Sequence, residues 1–137
     1  MLATVGLGGA AYAYNSLYVT TTLSLKEPLS INATSASGDL ALDSVSCTIS
    51  TDSSSATCGG SVFAGDFGAI AITVANSGHE ALTVTPAVTS TSTDVMVTLP
   101  SVASVPAGGI YVFTFNISVS ADAATPDPVI LTMTFAR

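Results

Sequence analysis

The sequence predicts an all-β protein: one jelly-roll or Greek-key β-sandwich with an extra strand at its N-terminal end. Three observations predict it. Apolar residues recur at alternate positions in run after run, and no stretch sustains a 3.6-residue period. Turn-forming clusters interrupt these runs roughly every 8–12 residues, giving about eight to ten strands. The segment Met1–Tyr14, MLATVGLGGAAYAY, breaks the alternation: it is uncharged, and every side chain but Thr4 is apolar, small or aromatic.

Each element follows from its own residues. Leu17, Val19, Thr21, Leu23 and Leu25 form one face of a half-buried strand, which Lys26-Glu27-Pro28 ends. Leu29 to Ala33 reads as a short strand with Ile31 inward and Asn32 outward, followed by a turn over Ser35 to Asp39. Leu40, Leu42, Val45, Cys47 and Ile49 suggest a strand with a bulge near Asp43-Ser44. Gly59-Gly60 turns the chain into Val62-Phe63, and Gly65-Asp66 opens a strong strand, Phe67 to Ala75, with Ile70, Ile72 and Val74 inward. Asn76 to Glu80 is a tight turn of turn-forming residues. Leu82, Val84, Pro86 and Val88 make the next inward set, Thr89 to Thr93 a loop, and Val95, Val97 and Leu99 another strand. Val102 to Val105 is short and leads into Pro106-Ala107-Gly108-Gly109. Tyr111, Phe113, Phe115, Ile117 and Val119 form the most aromatic inward face. A turn over Asp122 to Pro128 precedes Val129, Leu131, Met133 and Phe135.

In an extended Met1–Tyr14, Leu2, Tyr12 and Tyr14 face one way and Val5, Leu7, Ala11 and Ala13 the other, so both faces require cover. Ala11-Tyr12-Ala13 matches a signal-peptidase pattern, but the basic leading region is missing, and the stretch is expected to be retained. It is too short for a transmembrane helix, which needs about 20 apolar residues. Gly6-Leu7-Gly8-Gly9-Ala10-Ala11 fits a dinucleotide fingerprint, yet the helix that fingerprint needs does not follow. The remaining reading is a strand lent to another molecule, with Gly6, Gly8 and Gly9 allowing close backbone approach. The expected division is residues 1–16 as donor strand and linker and residues 17–137 as the sandwich.

The chain has 137 residues, 48% hydrophobic but only 8% charged, and a net charge of −7. One domain with a real core fits this length. Lys26 and Arg137 are the only Lys or Arg residues, so nothing can neutralise nucleic-acid phosphates or anionic headgroups. Ser and Thr supply the surface polarity, and no lysines guard the strand edges. This suits an extracellular, glycosylated or polymerised protein. Cys47 and Cys58 flank a soft polar loop, TISTDSSSAT, and are expected to form a disulfide contributing about 3 kcal/mol. Asn32-Ala33-Thr34 and Asn116-Ile117-Ser118 are glycosylation sequons with outward asparagines, so Asn32 and Asn116 are expected to carry glycans.

Catalytic candidates are sparse. His79, the sole histidine, sits beside Glu80 in a turn and lacks partner ligands. Asp39, Asp43 and Asp52, and likewise Asp122 and Asp127, are near one another in sequence, but no calcium-loop pattern occurs; turn solvation accounts for them. No serine has a base and an orienting partner. The expectation is a non-enzyme without metal or cofactor.

The layout Ala64-Gly65-Asp66, then Ile70 to Thr85 through Asn76-Ser77-Gly78, then Val105-Pro106-Ala107-Gly108 and Phe113 to Val119, is shared by many extracellular β-sandwiches. Together with GLGGAAYAY it resembles the TasA/camelysin-like group and the related archaeal filament subunits, the bundling pili and threads. That resemblance implies jelly-roll subunits whose N-terminal strand inserts into the next subunit. Asn15-Ser16-Leu17 departs from the aromatic-Ser-Asp usual after Ala-Tyr in camelysins, and no residue carries over their attributed protease activity. The expected function is therefore a structural subunit of an extracellular archaeal pilus-like filament, for adhesion or biofilm formation. Its donor strand would comprise Leu2, Val5, Leu7, Ala11, Tyr12, Ala13 and Tyr14. Its partners would be identical subunits in a helical homopolymer, with lateral association of filaments, and no nucleic acid or membrane span. Two other readings are a type IV pilin or flagellin-like subunit, which needs a long N-terminal helix that Val19-Thr20-Thr21-Thr22 disfavours, and a secreted S-layer or adhesin carbohydrate-binding module, which needs an exposed aromatic groove.

Overall fold

The computed structural model describes residues 2–6, 16–21, 23–123 and 129–137. Its elements are β1 (Leu2–Gly6), β2 (Ser16–Thr20), β3 (Leu29–Gly38), α1 (Asp39–Leu42), β4 (Ser46–Ile49), β5 (Ser55–Gly60), β6 (Phe67–Asn76), β7 (Leu82–Ser90), β8 (Val95–Thr98), β9 (Ala103–Val105), β10 (Ile110–Val119) and β11 (Val129–Ala136). One sheet has the order β3-β6-β10-β8 and the other β4-β5-β11-β7-β9, with all pairings antiparallel. From β5 to β11, successive strands alternate between the two sheets. Among the described residues, β1 and β2 pair only with each other, Leu2 opposite Thr20 and Gly6 opposite Ser16.

The alternating side chains of the two sheets meet in one core. β6 contributes Ile70, Ile72 and Val74, and β10 contributes Phe113, Phe115 and Ile117. Leu131 and Met133 come from the facing β11. Phe135 packs its ring 5.1 Å from Phe113 and 6.0 Å from Phe115, distances at which tilted aromatic pairs attract. Asn76 is the buried polar residue at the end of β6. Its Nδ2 donates to the Glu80 and Val105 carbonyls at 2.7 and 3.1 Å, and its Oδ1 accepts from the Gly78 amide at 2.9 Å. The Asn76-to-Glu80 turn is thereby fixed, and β9 is tied across to β6. At the Pro106–Gly109 turn, Gly108 holds φ +66°, which L-residues rarely adopt, and the Gly109 amide donates to the Pro106 carbonyl.

Several expectations are corrected. The Leu17–Leu25 strand stops at Thr20, and Leu23 and Leu25 are 76% and 104% exposed. Leu23 and Leu25 have no facing surface to pack on, and among the described residues the first strand of either sandwich sheet is β3. The expected turn at Ser35–Asp39 is instead the second half of β3, which runs to Gly38 past a bulge between Ile31 and Ala33. Leu40 and Leu42 belong to the short helix α1 and not to a strand: Leu40 is buried under β6 while Leu42 faces solvent. Leu99 and Tyr111, assigned inward by parity, are exposed: Leu99 lies just past the end of β8 and Tyr111 is the second residue of β10. β7 extends through Ser90 into the expected loop.

Candidate functional site

The leading segment is the candidate interface. Leu2 and Val5 lie in β1, within a hairpin that belongs to neither sheet of the sandwich. Leu7, Ala11, Tyr12, Ala13 and Tyr14 lie outside the described residues. Between this hairpin and β3 runs a surface segment ending in Pro28. Glu27 within it meets Arg137 at 3.5 Å, an exposed ion pair that adds little stability.

The sandwich offers unequal edges. β3 is tied to the β4–β5 hairpin, because the Ile31 amide donates to the Ser53 carbonyl at 2.9 Å. Cys47 and Cys58 lie directly opposite each other in that hairpin and form the expected disulfide. Such a bond belongs to an oxidising compartment. At the hairpin tip, Asp52 Oδ1 accepts from the Ser50 and Ser54 hydroxyls, both at 2.7 Å, and from the Ser54 amide at 3.1 Å. The hydroxyl of Ser54, followed by that of Ser50, holds the carboxyl down at about 2. On the opposite side of its sheet, β8 covers only part of β10.

A second polar feature was not evident in the sequence. Asp39, Asp43 and Asp66 converge where α1 meets the turn before β6. Asp39 Oδ2 accepts from the Phe67 amide at 3.0 Å, and Asp66 Oδ2 from the Phe63 amide at 2.8 Å. Asp43 Oδ2 is shut off from solvent and has no hydrogen-bond partner. A proton on Asp43 allows a carboxyl–carboxylate hydrogen bond to Asp66. That bond, with desolvation and the charges of Asp66 and Asp39, pushes Asp43 up to about 6. The sequence grouped Asp39 and Asp43 with Asp52; the fold replaces Asp52 with Asp66, because α1 packs on the start of β6. Among the described residues no group of three or more His, Cys, Asp or Glu could hold a metal ion.

Asn32 and Asn116 are both exposed, Asn32 at the β3 bulge and Asn116 in the middle of the outer face of β10. His79 is exposed in its turn, and Asp122 lies at the end of the described turn after β10, while Asp127 is outside the described residues. The small apolar cleft between the sheets is walled by residues such as Leu40, Val62, Ile70 and Ile117, with no titratable side chain in its lining. Among the described residues no helix is long and apolar enough to cross a membrane. No family model matches the chain, and no curated protein or solved structure matches it either.

Proposed function

We propose that the chain is a structural subunit of an extracellular, archaeal pilus-like filament that serves adhesion or biofilm formation. It polymerises by lending its N-terminal segment to a neighbouring copy. One observation carries this reading: β1, from the uncharged leading segment, pairs with β2 in a hairpin that belongs to neither sheet of a sandwich that already has its own core. A two-stranded hairpin is at best marginally stable in water, so it needs a sheet to join. Addition of a strand to an open sheet edge is a general mode of assembly. A contact between two different surfaces of the same chain does not close on itself and propagates as a fibre.

The surface agrees with life in a polymer. The outer face of the β3-β6-β10-β8 sheet carries Ser35, Ser37, Ala69, Ala71, Thr73 and Thr114, small or hydroxylated residues without charge. In this reading Asn32 and Asn116 are glycosylated, and the protein has no catalytic role, metal or cofactor.

Electron microscopy of the purified chain and of a variant lacking residues 1–14 tests the proposal. Full-length chains form fibres and the truncated chain does not. Fibres from the truncated chain contradict the donor role.

A further inference from the structure

We infer that the neighbouring copy's β1 is received by the open half of β10, alongside Ile110–Phe115. The inference rests on the filament reading and names the surface that reading leaves unassigned.

β6 pairs with β10 from Ile110 to Ser118, whereas β8 pairs with it only from Asn116 to Val119. Among the described residues, the first half of β10 therefore has a strand on one side only. The direction of its free backbone groups follows from alternation along an antiparallel strand. The Val119 amide donates to the Asp66 carbonyl, and the Gly109 carbonyl accepts from the Asn76 amide, both on the β6 side. Odd-numbered residues thus turn their amides and carbonyls toward β6, and Ile110, Val112 and Thr114 present theirs to the open side.

The chain following β8 does not continue along this edge. After Thr98 it passes through Leu99 and Pro100, and its next strand, β9, pairs with β7 in the facing sheet. The vacancy is bordered by exposed apolar side chains of β10 itself: Ile110 is 56% exposed and Val112 49%. No charged residue occurs between Val95 and Val119, so the edge has none of the charges that natural sheets use to block pairing.

β1 suits this vacancy. It runs over Leu2–Gly6, against an open stretch of Ile110–Phe115, and both are uncharged. β2 covers one edge of β1, leaving the other for a third strand. Addition of the intact hairpin extends the sheet without breaking any pairing already made. Leu23 and Leu25, in the segment between β2 and β3, are exposed, and in this reading that segment carries the hairpin to a second copy.

Full-chain variants test the assignment. Val112→Lys places a charge at the centre of the open edge. Val112→Pro removes an amide that faces the open side and leaves the pairing with β6 in place. Val5→Lys places a charge in β1. In a fourth experiment, Thr4→Cys chains and isotope-labelled Val112→Cys chains are mixed and oxidised; the natural cysteines are already joined to each other. The expected result is that wild type sediments as fibres, that all three Lys and Pro variants lose the sedimenting polymer while keeping a β circular-dichroism spectrum, and that the mixture yields labelled–unlabelled disulfide dimers. If Val5→Lys loses polymer while Val112→Lys and Val112→Pro polymerise like wild type, the strand is received elsewhere; this inference falls and the filament reading stands. If Val5→Lys also polymerises, or wild type makes no fibres, the filament reading falls. No labelled–unlabelled dimer from the mixture, together with a cross-link inside single chains of a Thr4→Cys/Val112→Cys double variant, overturns the inference, because the edge is then filled from within. Should Val112→Pro fail to fold, Val112→Lys and the cross-link decide.

Discussion

Asp43 gives the fold a pH dependence opposite to that of most carboxylates. Its carboxyl is raised in the folded chain from 3.8 to about 6, chiefly by the hydrogen bond to Asp66. The folded state therefore holds the proton more tightly than the unfolded state, and the resulting stabilisation is complete below about 3.8 and lost as pH rises through about 6. Asp43→Asn keeps a donor toward Asp66 without a charge. Its melting temperature should equal that of wild type near pH 4 and exceed it at pH 8, as followed by circular dichroism. Equal melting temperatures at both pH values contradict this assignment. Asp52 acts the other way: its carboxyl is lowered to about 2 by the serine hydroxyls, so its contribution is present above 3.8 and disappears as pH falls toward 2. Asn76 is the residue whose loss should cost most for its size. Asn76→Ala leaves the buried Val105 carbonyl and the turn at Gly78 without partners, and should cost about 2–3 kcal/mol in chemical denaturation. Gly68 is constrained by contact: a Cβ there would collide with the Ser37 carbonyl and approach Leu40, so Gly68→Ala should destabilise by about 1–3 kcal/mol.

At the scale of elements, the β4–β5 hairpin illustrates how a small staple supports a sheet edge. Cys47 and Cys58 clamp its two strands, and Ser53 at its tip accepts the Ile31 amide at the β3 bulge. The Cys47→Ala/Cys58→Ala double variant should lose about 3 kcal/mol, from the loop-closure estimate for so short a loop. The same hairpin shows what the sequence makes legible. Cys47, Val84, Phe113 and Met133 declare their strands by period-two alternation, and the structure places strands at all four. Alternation is a local signal, however, and it fails where the partner surface decides. Leu23 and Leu25 alternate like core residues yet have no sheet to face. Ser35 and Ser37 look like turn residues, but β6 lies opposite them and holds them in β3. Leu40 enters α1 because the chain must cross from one sheet to the other at that point.

Over the whole molecule, the order of strands could not be read from the residues, because antiparallel pairing between distant segments is set by the packing of the two sheets. The meeting of Asp39 and Asp43 with Asp66, and the half-open β10, are consequences of that order and were equally hidden. The unbroken apolar character of Met1–Tyr14 was plain, since neither face offers polarity to water. The sequons were also plain, and intact-mass analysis of protein from its native source should show one glycan mass each for Asn32 and Asn116, removed singly by Asn32→Gln and Asn116→Gln. A bare polypeptide mass contradicts glycosylation.

The central claim is that the leading segment is housed by a sister molecule. A helical reconstruction by electron cryo-microscopy tests it most directly. The account predicts density for Leu2–Gly6 as a strand added to the sheet of the next subunit, with β2 of its own chain still paired along the other side. Density for that segment within its own sandwich, or wound into an axial helical stalk, contradicts it.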